Sequence, residues 1–148
     1  MDWDNDGDKD LIVGENNGNV RYFQNIGTPT VPNLHYIGLM QAGGVTIDIG
    51  DYSVPFVNDW NQDGLPDLLV GESDGVINYF RNRGTLTNPQ LAAGVLLTLG
   101  LGGDIDVGYR SAPAVADFNG DNVKDLISGE RTGKLYYYHN SGTNANPM

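Results

Sequence analysis

Asp59-Trp60-Asn61-Gln62-Asp63-Gly64-Leu65-Pro66-Asp67-Leu68 stands in this chain three times in near-copy. Its counterparts are Asp2-Trp3-Asp4-Asn5-Asp6-Gly7-Asp8-Lys9-Asp10-Leu11, 57 residues earlier, and Asp117-Phe118-Asn119-Gly120-Asp121-Asn122-Val123-Lys124-Asp125-Leu126, 58 residues later. The likeness runs on downstream in register. Gly14-Glu15 aligns with Gly71-Glu72 and Gly129-Glu130, and Gly18 with Gly75 and Gly133. Tyr22-Phe23, Tyr79-Phe80 and Tyr137-Tyr138 follow, then Asn25, Asn82 and Asn140. Gly27-Thr28, Gly84-Thr85 and Gly142-Thr143 come next, and the block closes at Pro32, Pro89 and Pro147. A second block occurs twice: Ile47-Asp48-Ile49-Gly50 with Ser53 and Pro55, and Ile105-Asp106-Val107-Gly108 with Ser111 and Pro113. This many matches at one offset mark an internal repeat, which has to be found before any fold is assigned.

The complete copy reads as four short strands. Val54 to Asn58 is the first and inner one. Asp67 to Gly71 is a near-continuous apolar run, as in a strand covered on both faces. Val76 to Arg81 alternates and carries aromatics after a Gly-containing turn. Leu91 to Leu99, after the Thr-Asn-Pro turn, is the fourth and outer strand. Four strands per unit with a period above about 40 residues point to β-propeller blades. The first unit (1–58) lacks its first strand, the second (59–116) is whole, and the third (117–148) lacks its last. The expectation is therefore an all-β array of antiparallel four-stranded blades, about two and a half per chain. Such an array has open edges, which invite pairing with another chain. The ring is completed either by self-association, with a homodimer favoured, or by sequence beyond this chain.

The 148 residues carry 19 acidic and 8 basic side chains, a formal charge of −11. That balance repels phosphate and excludes nucleic-acid binding through a basic patch. It disfavours anionic membrane surfaces as well. The longest weakly apolar stretch, Leu91 to Gly103, is short and interrupted by glycine, so no membrane insertion is expected. With 21 Gly and 7 Pro the composition suits turns rather than long helices. The absence of cysteine removes disulfides, thiolate–zinc sites and thiol nucleophiles. Met1-Asp2 is not the basic, apolar opening of a secretory leader.

The acidic loops carry the chemistry. Oxygen-bearing side chains fall at positions 1, 3, 5 and 9 of each loop. These are Asp2, Asp4, Asp6 and Asp10; Asp59, Asn61, Asp63 and Asp67; and Asp117, Asn119, Asp121 and Asp125. Position 7 (Asp8, Leu65, Val123) offers its backbone carbonyl. Calcium takes about six to eight hard oxygen ligands, and a tight loop with alternate side chains turned inward supplies them. Position 6 must turn with positive φ, which Gly7, Gly64 and Asn122 tolerate. The first loop has the most carboxylates but no strand before it to anchor it. An EF-hand begins the same way, yet it needs a Glu at position 12 and flanking helices. Position 12 here is Val13, Val70 or Ser128, so that reading fails. An Asp/Asn-rich turn that merely caps is the bland alternative. Three loops with all four oxygen positions filled favour calcium, up to three ions per chain.

The pattern D-x-[DN]-x-D-[GN]-x-x-D-L, followed by a strand, Gly-Glu and a Tyr/Phe strand, resembles the FG-GAP/VCBS repeat. That family builds calcium-bearing propellers in integrin α subunits, a fungal lectin and many secreted bacterial proteins. The resemblance implies a β-propeller, calcium in the loop between a blade's first two strands, an extracellular or cell-surface setting, and adhesion or ligand binding without catalysis.

Enzymatic readings find little support. His35 and His139 sit in no recognised motif, and no nucleophile elbow is present. Paired carboxylates of the kind used in glycoside hydrolysis lie in loops already assigned to calcium. Trp3, Trp60 and Phe118, at position 2 of each loop, are read as packing between neighbouring units, as is one member of each Tyr/Phe pair. A carbohydrate or protein ligand needs an aromatic platform with polar groups on one face. The segment before each inner strand offers one: Asp51 and Tyr52 in one copy, Tyr109 and Arg110 in the other. These positions differ between copies while the framework does not, as befits a recognition loop. Two functions stay open, a calcium-stabilised binding module and a purely structural, self-assembling propeller piece.

Overall fold

The computed structural model describes residues 1–143. Pro147 of the repeat lies outside them. Every regular element is a strand: β1 (Leu11–Gly14), β2 (Val20–Asn25), β3 (Leu34–Leu39), β4 (Gln41–Ala42), β5 (Val45–Thr46), β6 (Val54–Asn58), β7 (Asp67–Gly71), β8 (Ile77–Phe80), β9 (Val95–Leu96), β10 (Ala112–Ala116), β11 (Asp125–Gly129) and β12 (Leu135–Tyr138). They form antiparallel meanders β1-β2-β3, β6-β7-β8-β9 and β10-β11-β12, with β4-β5 as a separate hairpin. The protein is all-β, a set of small antiparallel sheets of the kind that make partial propeller blades, and no barrel closes among the described residues.

Registers place equivalent residues alike. Leu68 opposes Phe80 and Leu126 opposes Tyr138, as Leu11 opposes Phe23. β7 shows why the Asp-Leu-Leu-Val-Gly run is apolar throughout: all five residues are buried. Side chains alternate across a strand. Leu68 and Val70 therefore enter one core with Trp3, Val20, Met40, Ile47, Phe80 and Leu91. Leu69 enters the other with Trp60, Ile77, Ile105, Val115 and Leu126. One core lies on each side of the middle sheet, so the units are held by sheet-on-sheet burial.

Two expectations need correction, and one element was not anticipated. The outer strand predicted over Leu91 to Leu99 shrinks to Val95–Leu96 plus isolated bridges at Leu91 and Thr98, because Gly94 lies against the Phe80 ring and interrupts the pairing. The hairpin β4-β5 turns at Gly43-Gly44, both at positive φ, and the sequence pattern did not signal it. Trp3 and Trp60 are buried between sheets as read, but Phe118 is 48% exposed, with the Tyr137 ring edge-on at 6.3 Å. Its position is the same; the described residues place no further sheet against it.

Candidate functional site

Each acidic loop is wound by a similar set of hydrogen bonds, the third using its position 4 amide where the other two use position 5. The position 1 carboxylate accepts from two backbone amides. Asp2 receives Asp6 N–H and Gly7 N–H, both at 3.1 Å. Asp59 receives Asp63 and Gly64 at 3.1 and 3.0 Å. Asp117 receives Gly120 and Asn122 at 2.6 and 2.9 Å. The position 5 carboxylates Asp6, Asp63 and Asp121 accept the amides of Asp8, Leu65 and Val123 at position 7. Position 6 has positive φ in all three loops, at Gly7 (99°), Gly64 (89°) and Asn122 (66°), as its residue types imply. Position 4 does too, at Asn5 (57°), Gln62 (55°) and Gly120 (83°). Asn and Gly advertise that freedom; Gln does not, so no common residue type signals it.

The position 9 carboxylates play a second part. Asp10, Asp67 and Asp125 are buried. Asp10 accepts Trp3 N–H and Asn25 N–H, both at 2.8 Å. Asp67 accepts Trp60 N–H at 3.2 Å and Asn82 N–H at 2.7 Å. Asp125 accepts Asn140 N–H at 2.9 Å and the Phe118 amide. Each ties the start of its loop to the end of the Tyr/Phe strand. Phenols add to this: Tyr79 and Tyr137 donate to Asp67 and Asp125 at 2.9 and 2.8 Å, whereas Tyr22 reaches Asp4 at 3.5 Å.

A further set of loop partners was missed in the sequence, although it was there to find. Two residues beyond each repeated tyrosine stand Gln24, Arg81 and His139. Gln24 donates to Asp4 at 2.7 Å, Arg81 pairs with Asp63 at 2.9 Å, and His139 Nδ1 lies 3.2 Å from Asp125 and 3.0 Å from the Asn119 amide. His139 thus belongs to the repeat after all. Its two counterparts differ from it and from each other in type, and that hides the register.

The loops differ in charge. In the first, oxygens of Asp2, Asp4 and Asp10 all lie within 4.8 Å of one another, a grouping able to hold a metal ion. Asp4 Oδ1 and Asp8 Oδ1 are buried there without a hydrogen-bond partner. Burial and the neighbouring Asp10 and Asp6 charges push the Asp4 carboxyl above its ordinary value. In the second loop burial also raises Asp67, against the Asn82 amide and the Tyr79 phenol. Asp63 goes the other way: burial pulls it upward, but Arg81 and the Leu65 amide outweigh that and hold it below the usual value. In the third loop the Asn140 amide, Tyr137 and His139 overcome burial and lower Asp125. The first loop is therefore the one where carboxylates converge most closely. The second and third carry Asn at position 3 and a cationic or titratable partner alongside.

The ligand-binding candidates meet on a different surface. Arg110 stacks on the Tyr52 ring at 3.6 Å and lies 5.5 Å from the Tyr109 ring. Arg131, not picked out in the sequence, extends the ladder 5.3 Å from Tyr109. Tyr52 and Arg110 share a repeat position and both adopt positive φ, at 56° and 54°. Asp51 enters through its carbonyl, which accepts Ser73 N–H at 3.0 Å.

Residues 59–128 match the family model described as an FG-GAP-like repeat. No curated protein and no solved structure matches the chain.

Proposed function

Because the chain carries an FG-GAP-like repeat, the unit of β-propeller modules that are generally non-enzymatic, typically extracellular and often adhesive, we propose that it is a calcium-loaded binding module working outside the cell. The observation that carries the metal reading is the first loop. Three carboxylates converge there, two carboxylate oxygens are buried without a partner, and one carboxyl is driven toward its protonated form. Like charges packed this way repel, and a divalent cation relieves them. The donor set is all hard oxygen, which suits calcium. Asp2, Asp4, Asp6 and Asp10 with the Asp8 backbone would hold the first ion. Asp59, Asn61, Asp63, Leu65 and Asp67 would hold a second, and Asp117, Asn119, Asp121, Val123 and Asp125 a third. The ion supplies charge neutralisation and loop rigidity.

The ligand surface is the ladder of Tyr52, Arg110, Tyr109 and Arg131, with Asp51 beside it. Tyr52 and Tyr109 are 37% and 40% exposed, enough to offer ring surface to a carbohydrate or protein ligand. Non-glycine residues at positive φ are uncommon, and two in one register that stack on each other form a rigid recognition surface.

Calorimetric titration with calcium tests the metal assignment. Wild-type protein should show saturable heat, and Asp4→Asn with Asp10→Asn should remove the first site. Absence of calcium heat in the wild type would end the reading. A glycan-binding screen in calcium tests the ladder: saturable binding lost in Tyr52→Ala and Arg110→Ala supports it, and silence across a broad panel counts against a carbohydrate.

A further inference from the structure

The side-chain position two residues beyond each repeated tyrosine touches the acidic loops without belonging to their ligand sets. In the first unit it is Gln24, a neutral donor on Asp4 at 2.7 Å. In the second it is Arg81, immediately after β8, whose guanidinium Nη2 donates to Asp63 Oδ2 at 2.9 Å. The positive charge thus rests on the position 5 carboxylate, itself a candidate ligand. The same Asp63 Oδ2 accepts the Asn61 side-chain amide at 3.0 Å, and Asp63 Oδ1 accepts Leu65 N–H at 3.1 Å. Both oxygens of that ligand are engaged from within the chain. Its counterpart Asp6 accepts Asp8 N–H on Oδ1 at 2.9 Å and makes no ion pair among the described residues.

The carboxylates of the two loops gather differently. Asp2, Asp4 and Asp10 bring oxygens within 4.8 Å of one another, whereas Asp59, Asp63 and Asp67 form no such group among the described residues. Asp4 Oδ1 and Asp8 Oδ1 are buried without a hydrogen-bond partner, and no side-chain oxygen of residues 59–67 is. The first loop is a cluster of uncompensated charge. The second already holds a cation, and a guanidinium does not give up its proton. The Arg81 side chain is 49% exposed and that of Asp63 27%. A pair this open adds little to stability and can be drawn apart. It weighs more against a second cation. At the dielectric constant of water, a guanidinium about 6 Å from a doubly charged ion weakens its binding by a factor of about ten.

We propose that Arg81 is a resident counter-ion of the second loop, competing with a divalent cation for Asp63, so that the loops load in order, the first at lower calcium and the second only as Arg81 is displaced. The proposal rests on the calcium reading of the loops and adds that one side chain outside the ligand sets grades their affinities. Gln24 leaves the first loop open to metal at a calcium concentration where Arg81 still occupies the second.

The test is a calcium titration of the full chain at low ionic strength, followed by the NMR shifts of single backbone amides. Each loop has its own reporter at position 6, since Gly7 N–H donates to Asp2 and Gly64 N–H to Asp59. In the wild type the Gly64 midpoint should lie at roughly tenfold higher calcium than the Gly7 midpoint. Arg81→Gln gives the second loop the residue of the first. It should bring the Gly64 midpoint down roughly tenfold and leave that of Gly7 in place. Arg81→Lys keeps the charge and should keep the late midpoint, which separates charge from loop shape. Gln24→Arg should delay Gly7 in turn. A Gly64 midpoint that Arg81→Gln leaves unmoved overturns the proposal, as does an early Gly64 midpoint in the wild type or in Arg81→Lys. Those results leave the calcium reading standing. A Gly7 amide that millimolar calcium does not move in the wild type overturns the calcium reading and this proposal together.

Discussion

Asp59 and Asp67 stand in one loop, and both are calcium ligand candidates, yet their surroundings assign them different costs. Asp67 is fully buried and accepts from Trp60 N–H, Asn82 N–H and the Tyr79 hydroxyl. Each buried donor orphaned by Asp67→Ala costs about 1–3 kcal/mol, so the loss should reach about 3 kcal/mol or more, even in chelator, by urea denaturation. The Asp59 carboxylate accepts from the exposed Asp63 and Gly64 amides, which water can satisfy. Asp59→Ala should cost under about 1 kcal/mol in chelator and show its larger effect only in calcium. Equal losses from the two variants in chelator would contradict this division. Glu72 allows a test by pH. Burial lifts its carboxyl above the ordinary 4.5, against the Asn78 amide that donates to it at 2.8 Å. An acid raised on folding favours the folded state below its unfolded value and withdraws that favour as pH climbs through the folded one. Glu72→Gln should therefore raise Tm at neutral pH, and the gain should disappear below about 4.5.

At the scale of the strand, the same repeat position has opposite meanings in different units. Ile77 is 0% exposed and packs in the core with Trp60, Leu69, Ile105 and Val115, while Leu135 stands 72% open. Ile77→Ala should cost about 2–5 kcal/mol, as a cavity in a packed core does. Leu135→Ala should change stability by no more than about 0.5 kcal/mol in this chain. Comparable losses would mean that the third sheet is covered after all. This contrast also shows what the sequence could reveal. The second strand was legible to the residue, because a run buried on both faces must be apolar at every position and must end at Gly71. The outer strand was not, because its apolar run continues through Leu91 to Leu99 while Gly94 against Phe80 breaks the pairing. The loop oxygens were legible from their period of two. Gln24, Arg81 and His139 were not, because a register position filled by three chemistries looks like no position at all. Tyr52 and Arg110 were singled out as variable loop residues, but their stacking depends on the close approach of two units, which no single copy encodes.

For the whole molecule the governing quantity is charge. The chain carries −11, and three bound divalent ions would bring it to −5. A net charge this large holds copies apart and works against compactness. Calcium should then act twice. Within one chain, an ion that binds only the folded loop stabilises it by about 2.7 kcal/mol when present at 100 times its dissociation constant. At about 2–4 °C per kcal/mol, one filled site should raise Tm by roughly 5–10 °C. Between chains, neutralisation should release the attraction of the edge strands β9 and β12, where Val95 and Leu135 are exposed, with exposed Leu99 and Leu101 following β9. Light scattering on a sizing column should therefore give about 16.0 kDa in chelator and a mass moving toward twice that in millimolar calcium. Raised salt without calcium separates the two causes. Salt screens the same repulsion without filling the loops. If screening alone drives association, salt should raise the mass but leave the calcium-dependent step in Tm still to be gained. If metal-ordered loops are needed to present the edge, salt should leave the chain monomeric. A mass of 16.0 kDa in every buffer would show that charge is not what keeps the copies apart, and that the exposed edge does not recognise a second copy of this chain.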